Sequence, residues 1–204
     1  DGAYSFAFID GKGRIVIGRD PLGIRPLWYA NNNNIFAAAS EDTPLNILGF
    51  KREEMKEVEP GSLVIVDGSG NIKESNYTKN NGNASCMFEN VYFSGASSRG
   101  PKGMPIDLFR YILGEELAFS DPLKEKFESG KLNREDFVVV PVPNTARNAA
   151  VGYAETLELK LREGLEKIES DIPRLFILPE GERVIQMKLK YEVLPNSING
   201  LNVV

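Results

Sequence analysis

Phe137-Val-Val-Val-Pro-Val142, then Pro143-Asn-Thr-Ala-Arg-Asn148, then Ala149-Ala-Val-Gly-Tyr-Ala-Glu-Thr-Leu157: on this stretch the fold turns. The first six residues form a short apolar run rich in β-branched side chains, which suits a fully buried parallel strand. Residues 143–148 predict a loop and 149–157 a helix. Strand, short loop and helix make a βα unit, and in such folds ligands sit at the carboxyl ends of the strands. The candidate binding loop is therefore Pro143-Asn144-Thr145-Ala146. Working outward, Ile106, Phe109, Ile112, Leu113 and Leu117 fall at helical spacing and predict an amphipathic helix over 105–119. Leu201-Asn-Val-Val204 predicts a later parallel strand. Residues 157–168 are ambiguous, because their periodicity is helical while Gly164 weakens a helix by roughly 1 kcal/mol.

The first eighty or so residues read as β instead. Ala3-Tyr-Ser-Phe-Ala-Phe-Ile9 and Arg14-Ile-Val-Ile-Gly18 predict strands joined by a hairpin turn at Asp10-Gly-Lys-Gly13. Asn31 to Asn34 predicts a loop tip. Thr43 and Pro44 predict a short helix with Thr43 as N-cap, Pro44 at the first helical position and Gly49 as its stop. Pro60-Gly61 and Asp67-Gly-Ser-Gly70 are turns flanking a strand at 62–67. The expectation is a hairpin-rich antiparallel sheet carrying one helix. Asn76, Asn80, Asn81 and Asn83 mark the best boundary, at 75–85.

The composition excludes several classes. The 204 residues are 42% hydrophobic, enough to bury a core, and carry a formal net charge of −5. No apolar run approaches the roughly 18 residues of a membrane span, and the mild acidity argues against nucleic acid. With no histidine and only Cys86, the chain supplies no imidazole base, internal disulfide or cysteine-cluster metal site. This fits a cytoplasmic location. The chain begins at Asp1 inside one expected strand and stops at Val204 inside another, so it reads as an internal fragment.

Arg19-Asp-Pro-Leu-Gly-Ile-Arg-Pro-Leu-Trp-Tyr29 reads physically as a rigid inter-strand loop, with two prolines fixing φ and Arg and Asp bridging it to the sheet. As a string it resembles the signature of class II glutamine amidotransferases, and Ala38-Ala-Ser-Glu41 resembles the "ASE" that follows. Both occur also in glutamine-dependent asparagine synthetase. The second half separates the two. Val58-Glu-Pro-Gly61, Cys86-Met-Phe-Glu-Asn-Val-Tyr-Phe93, Gly114-Glu-Glu-Leu-Ala118, Val139-Val-Pro-Val-Pro-Asn-Thr145 and Ala149-Ala-Val-Gly-Tyr-Ala154 resemble, in order, the strings of glutamine phosphoribosylpyrophosphate amidotransferases. So do Arg174-Leu-Phe-Ile177, Arg183, Met187-Lys-Leu-Lys190, Gly200 and Val203-Val204. Leu161-Arg-Glu-Gly-Leu165 resembles the family's "YREGL" strand. With a parallel strand due after the helix at 149–157, a strand is expected there.

The resemblance implies an α+β part, 1–83, from the C-terminal portion of a class II amidotransferase domain with the N-terminal-nucleophile hydrolase fold, incomplete here. It implies an α/β part, 84–204, from the N-terminal portion of a type I phosphoribosyltransferase domain, also incomplete. The family's reaction, in purine biosynthesis, moves glutamine-derived ammonia onto phosphoribosylpyrophosphate, giving 5-phosphoribosylamine, glutamate and pyrophosphate. Its nucleophilic cysteine precedes the position matching Asp1, so no catalytic residue is expected within the chain; Cys86 falls in another motif. Asn144, Thr145 and Ala146 match the pyrophosphate loop, with Thr145 at a Mg²⁺-ligand position or, on a plainer reading, a helix cap. Lys167, Arg174 and Arg183 match the stretch over the phosphoribosyl substrate or are solvated charges. Cys86 is a [4Fe–4S] ligand if the parent holds a cluster, otherwise a small hydrophobe. A homo-oligomer (a homotetramer) inhibited by AMP and GMP is the expectation carried over.

The sequence also departs from the pattern. Asn144 replaces an acidic residue, the segment 94–99 lacks the "RPDS" string, and Glu169 and Asp171 stand where basic residues are usual. These changes leave open a non-catalytic paralogue binding nucleotide or phosphosugar. An asparagine-synthetase-type enzyme is the remaining alternative.

Overall fold

A computed structural model describes residues 2–32, 35–78, 82, 84–168 and 175–204. The chain divides into two compact units, Asp1–Ile106 and Asp107–Val204.

The first unit opens with β1 (Ser5–Ile9) and β2 (Ile15–Arg19), paired antiparallel around the expected turn. β3 (Trp28–Asn31) and β4 (Phe36–Ala39) form the next hairpin; residues 33–34 of the expected loop tip lie outside the described residues. α1 (Asp42–Ile47), β5 (Met55–Glu57), β6 (Ser62–Val66) and β7 (Ile72–Asn76) complete it. The strands make two antiparallel sheets where one was expected, ordered β1-β2-β6-β7 and β4-β3-β5. The residues between β2 and β3 carry the chain from the first sheet to the second. Side-chain alternation along β3 then serves two cores. Tyr29 packs with Ile17, Val58 and Val64 between the sheets. Trp28 and Ala30 pack on the opposite face with Leu45 of α1, Phe50 and Met55.

Thr43 does not cap α1. The N-cap position is Glu41, with no side-chain capping bond. The Thr43 hydroxyl is engaged instead with the hydroxyls of Ser97 and Ser98, at 3.1 and 2.8 Å. Tertiary partners prevail over the local cap. Residues 84–106, which the sequence groups with the second part, pack within the first unit. Ala84 N–H donates to the Leu22 carbonyl at 2.8 Å, and residues 95–99 are fastened to α1 and the residue before it.

The second unit contains α2 (Ile106–Ser120), α3 (Pro122–Glu128), β8 (Phe137–Val139), α4 (Arg147–Leu157), β9 (Lys160–Leu161), β10 (Leu165–Lys167), α5 (Glu180–Lys190), β11 (Tyr191–Val193), α6 (Pro195–Ile198) and β12 (Asn202–Val203). β8 is the centre of a parallel sheet ordered β12-β8-β9, as its apolar run predicts. The ambiguous segment is extended: α4 ends at Leu157, and β9 and β10 follow. Gly164 is buried there, and a Cβ on it would lie 2.7 Å from Ile198 and 2.9 Å from Val140, so a side chain has no room. β10 pairs antiparallel with β11. The core gathers Ala118, Phe127, Phe137, Val139, Tyr153, Ala154, Leu157 and Leu159.

α2 and α4 touch through glycine. A Cβ on Gly114 would lie 1.9 Å from the Ala149 carbonyl oxygen, and one on Gly152 would lie 2.1 Å from that of Tyr111. This backbone-to-backbone approach sets how the helix after the binding loop is held.

Candidate binding site

In the first unit, the signature loop is a polar knot. Arg19, 3% exposed, donates to the carbonyls of Arg25 (2.8 Å), Val58 (2.7 Å) and Gly23 (3.0 Å), and to Glu57 (2.8 Å). Asp20 is fully buried. Its carboxylate accepts the backbone N–H groups of Leu22, Ile24 and Arg25 at 3.1, 3.0 and 2.9 Å. Burial by itself raises this carboxyl, but the amide donors from Arg25, Ile24 and Leu22 outweigh it and hold it below its ordinary value. Both side chains are fully engaged in shaping the loop.

The residues after β4 act likewise. Glu41 accepts from Gly95 N–H at 2.8 Å and from the Ser98 hydroxyl. Asp42 accepts from the Arg99 backbone N–H at 2.9 Å and pairs with its guanidinium, which lies 4.9 Å from the Trp28 ring centroid. Arg25 is paired with Glu89. Cys86 is half-buried, and its carbonyl accepts from Glu89 N–H at 3.1 Å. It is the chain's one cysteine, so this chain could supply one of the four thiolates that a cluster needs. Among the described residues no group of three or more His, Cys, Asp or Glu could hold a metal.

The candidate site lies in the second unit. At the carboxyl end of β8 opens a cleft of about 770 Å³ lined by Pro143, Asn144, Arg147, Glu163, Glu166 and Lys167, together with Leu165, Ile168 and Leu194. β8 delivers the loop 143–146, and the first turn of α4 delivers Arg147. The link between β9 and β10 brings Glu163 to the cleft, and β10 brings Glu166 and Lys167. The peptide between Pro143 and Asn144 is cis.

Two of the expected site residues, Asn144 and Lys167, meet in this cleft. Thr145 is half-buried beside it without lining it. It is not the cap of α4: that position is Ala146, with no side-chain capping bond. Ala146 faces an apolar groove of about 250 Å³ with Val142, Ala149 and Tyr153. Arg183 is exposed on α5 and donates to the Leu178 carbonyl at 3.1 Å; it does not line the cleft. Arg174, with Glu169 and Asp171, lies outside the described residues.

The sequence reading missed Arg147, Glu163 and Glu166. Arg147 carried a signal: a cation in the first turn of a helix is unfavourable against the helix dipole unless an anion answers it. That anion here is Glu163, whose carboxylate lies 3.2 Å from Arg147 Nε and 3.5 Å from Nη2. Glu166 stands opposite Glu192 across the β10–β11 pair. The cleft thus presents two cations, two carboxylates and one amide to a ligand. It can hold an oxyanion through the guanidinium, the ammonium and the Asn144 amide.

Similar proteins converge on one group. A glutamine amidotransferase domain family matches residues 1–46. Amidophosphoribosyltransferases from Pyrococcus horikoshii and Pseudomonas aeruginosa are each 32% identical, over 100% and 99% of the chain. The chain spans 40% and 39% of their respective lengths. Among solved structures, a glutamine phosphoribosylpyrophosphate amidotransferase from B. subtilis, complexed with ADP and GMP, matches with TM-score 0.77 and 28% identity. That match covers 99% of this chain and 41% of the other. Homologues so named cover the whole chain, and their N-terminal domain has the glutamine amidotransferase fold.

Proposed function

We propose that the chain is part of an amidophosphoribosyltransferase, which transfers glutamine-derived ammonia to phosphoribosylpyrophosphate. The products are 5-phosphoribosylamine, glutamate and pyrophosphate. The observation that supports this best is similarity running from residue 1 to residue 204, through the binding loop, to proteins of that activity. On this reading residues 1–83 come from the amidotransferase domain and 84–204 from a type I phosphoribosyltransferase domain. An asparagine-synthetase-type enzyme would leave the similarity of 84–204 without a reason.

The cleft is then the place where this part of the chain meets the pyrophosphate moiety. Lys167 and Arg147 supply positive charge, and the Asn144 side chain supplies an amide. Mg²⁺ would arrive with the phosphate oxygens and several of its own waters. Thr145 offers one hard oxygen donor beside the loop. The ion would neutralise phosphate charge there. Inhibition by purine nucleotides and a homo-oligomeric parent belong to the same proposal.

A second reading, a non-catalytic paralogue binding nucleotide or phosphosugar, draws on the cleft's balanced charge and on Asn144 in place of an acid. Calorimetric titration of the chain with pyrophosphate and Mg²⁺ tests the cleft. Native protein should bind, and Lys167→Gln should bind at least about tenfold more weakly, the value of one charge-assisted contact. No binding at millimolar pyrophosphate refutes the assignment. Glutamine-dependent pyrophosphate release by the parent separates the enzyme from the paralogue.

A further inference from the structure

We propose that Glu163 is an internal stand-in for the anionic ligand: it occupies the Arg147 guanidinium and is displaced when a phosphate group enters the cleft. The inference rests on reading the cleft as a pyrophosphate site. Arg147 is the first residue of α4, and no acidic residue stands in that helix's first turn. The orphan amides of a helix N-terminus and an adjacent guanidinium both demand negative charge. Glu163 provides it from another element, the link between β9 and β10. Its two oxygens meet Nε and Nη2 at 3.2 and 3.5 Å, the two-pronged arrangement that a phosphate also offers a guanidinium.

The pair is built to be exchanged. Both side chains are half exposed, 50% and 53%, and both contacts are long. Pairs this exposed are worth at most about a factor of five in an equilibrium. Phosphate carries more charge and more acceptor oxygens than the carboxylate, so it competes for the same fork. The other charged groups of the cleft sharpen the point. Lys167 is its second cation, while Glu166 lies opposite Glu192 and forms no ion pair among the described residues. With two carboxylates against two cations, the cleft offers no net attraction to an anion until one carboxylate leaves. Glu163 therefore sets an affinity threshold, favouring ligands charged enough to displace it.

The test is a double-mutant cycle on the whole chain, with pyrophosphate plus Mg²⁺ titrated calorimetrically. Glu163→Gln frees Arg147 and should tighten binding about three- to fivefold. Arg147→Gln should weaken it about tenfold or more. Adding Glu163→Gln to Arg147→Gln should then give little further change, because nothing remains to be freed. Circular dichroism on each exposed-site variant confirms that the fold is kept. Equal tightening by Glu163→Gln in both backgrounds would mean only that a negative charge was lost, overturning the stand-in role while the cleft assignment stands. Failure of the native chain and every variant to bind would overturn the cleft assignment first, and this inference with it.

Discussion

Gly152→Ala tests the helix contact that positions the binding loop, and two effects pull its sign in opposite directions. Helix propensity favours alanine by up to about 1 kcal/mol. The contact opposes it: the new Cβ would sit 2.1 Å from the Tyr111 carbonyl oxygen and 3.0 Å from its carbon. Ordinary carbon–oxygen approaches are about 3.3–3.6 Å, so α2 and α4 must part by upwards of about 1 Å. A gap of that size forfeits about a quarter to a half of each dispersion contact. Overpacking of this kind costs about 1–3 kcal/mol, and backbone that cannot rotate away puts it at or above the upper end. The expected net loss is about 2 kcal/mol. For a unit the size of residues 107–204, that lowers Tm by about 8–16 °C. Thermal unfolding followed by circular dichroism measures it. Gly181→Ala is the control, because Gly181 lies in α5 and a Cβ added to it meets nothing within 4 Å. It should hold or raise Tm. A Gly152→Ala chain as stable as the native one would show that the close approach of α2 and α4 is not what requires glycine.

Two further outcomes follow from the first unit. Asp20→Asn leaves one carbonyl oxygen to face three backbone donors and should cost about 2–3 kcal/mol at pH 7, read from the urea midpoint. Because the native Asp20 carboxyl lies below its ordinary value, the unfolded chain binds the proton more readily. Its stabilisation is complete above the ordinary aspartate pKa of about 4 and fades as pH falls through the lower native value. The midpoints of the native and Asp20→Asn chains should therefore converge in acid, and a gap independent of pH would refute the assignment to the carboxylate. Ser98→Ala removes a buried hydroxyl bonded to Glu41 and Thr43 and should cost about 1–3 kcal/mol. Limited proteolysis should then cut within residues 94–99 before the rest of the unit; unchanged resistance there would refute the fastening of this segment through Ser98.

The elements most readable in the sequence were those specified by neighbours along the chain. The turn at Asp10 to Gly13 is closed by Asp10 itself, which accepts from the N–H groups of Lys12 and Arg14 at 2.9 Å each. The apolar run at 137–142 forms a strand over its first half, β8, which is buried between parallel neighbours, while Val142 beyond it is exposed. Thr43 shows where such reading fails. A threonine before a proline is a good local cap, yet its hydroxyl serves residues more than fifty positions away.

Rules that act along the chain were enough for most of the element order and for the place of the loop 143–146. Each follows from periodicity, turn chemistry or the rule that parallel strands open at their carboxyl ends. Asn144 and Lys167 were picked out by family resemblance rather than by such rules. Folding alone revealed that Arg147 meets Glu163, that Gly114 and Gly152 admit a neighbouring backbone, and that Arg19 ties its loop to Glu57 and Val58 while Asp20 serves the loop amides. A charge or a glycine has no fixed use in a sequence. Its use is set by what the fold brings within about 4 Å of it, where ion pairs and packing contacts operate.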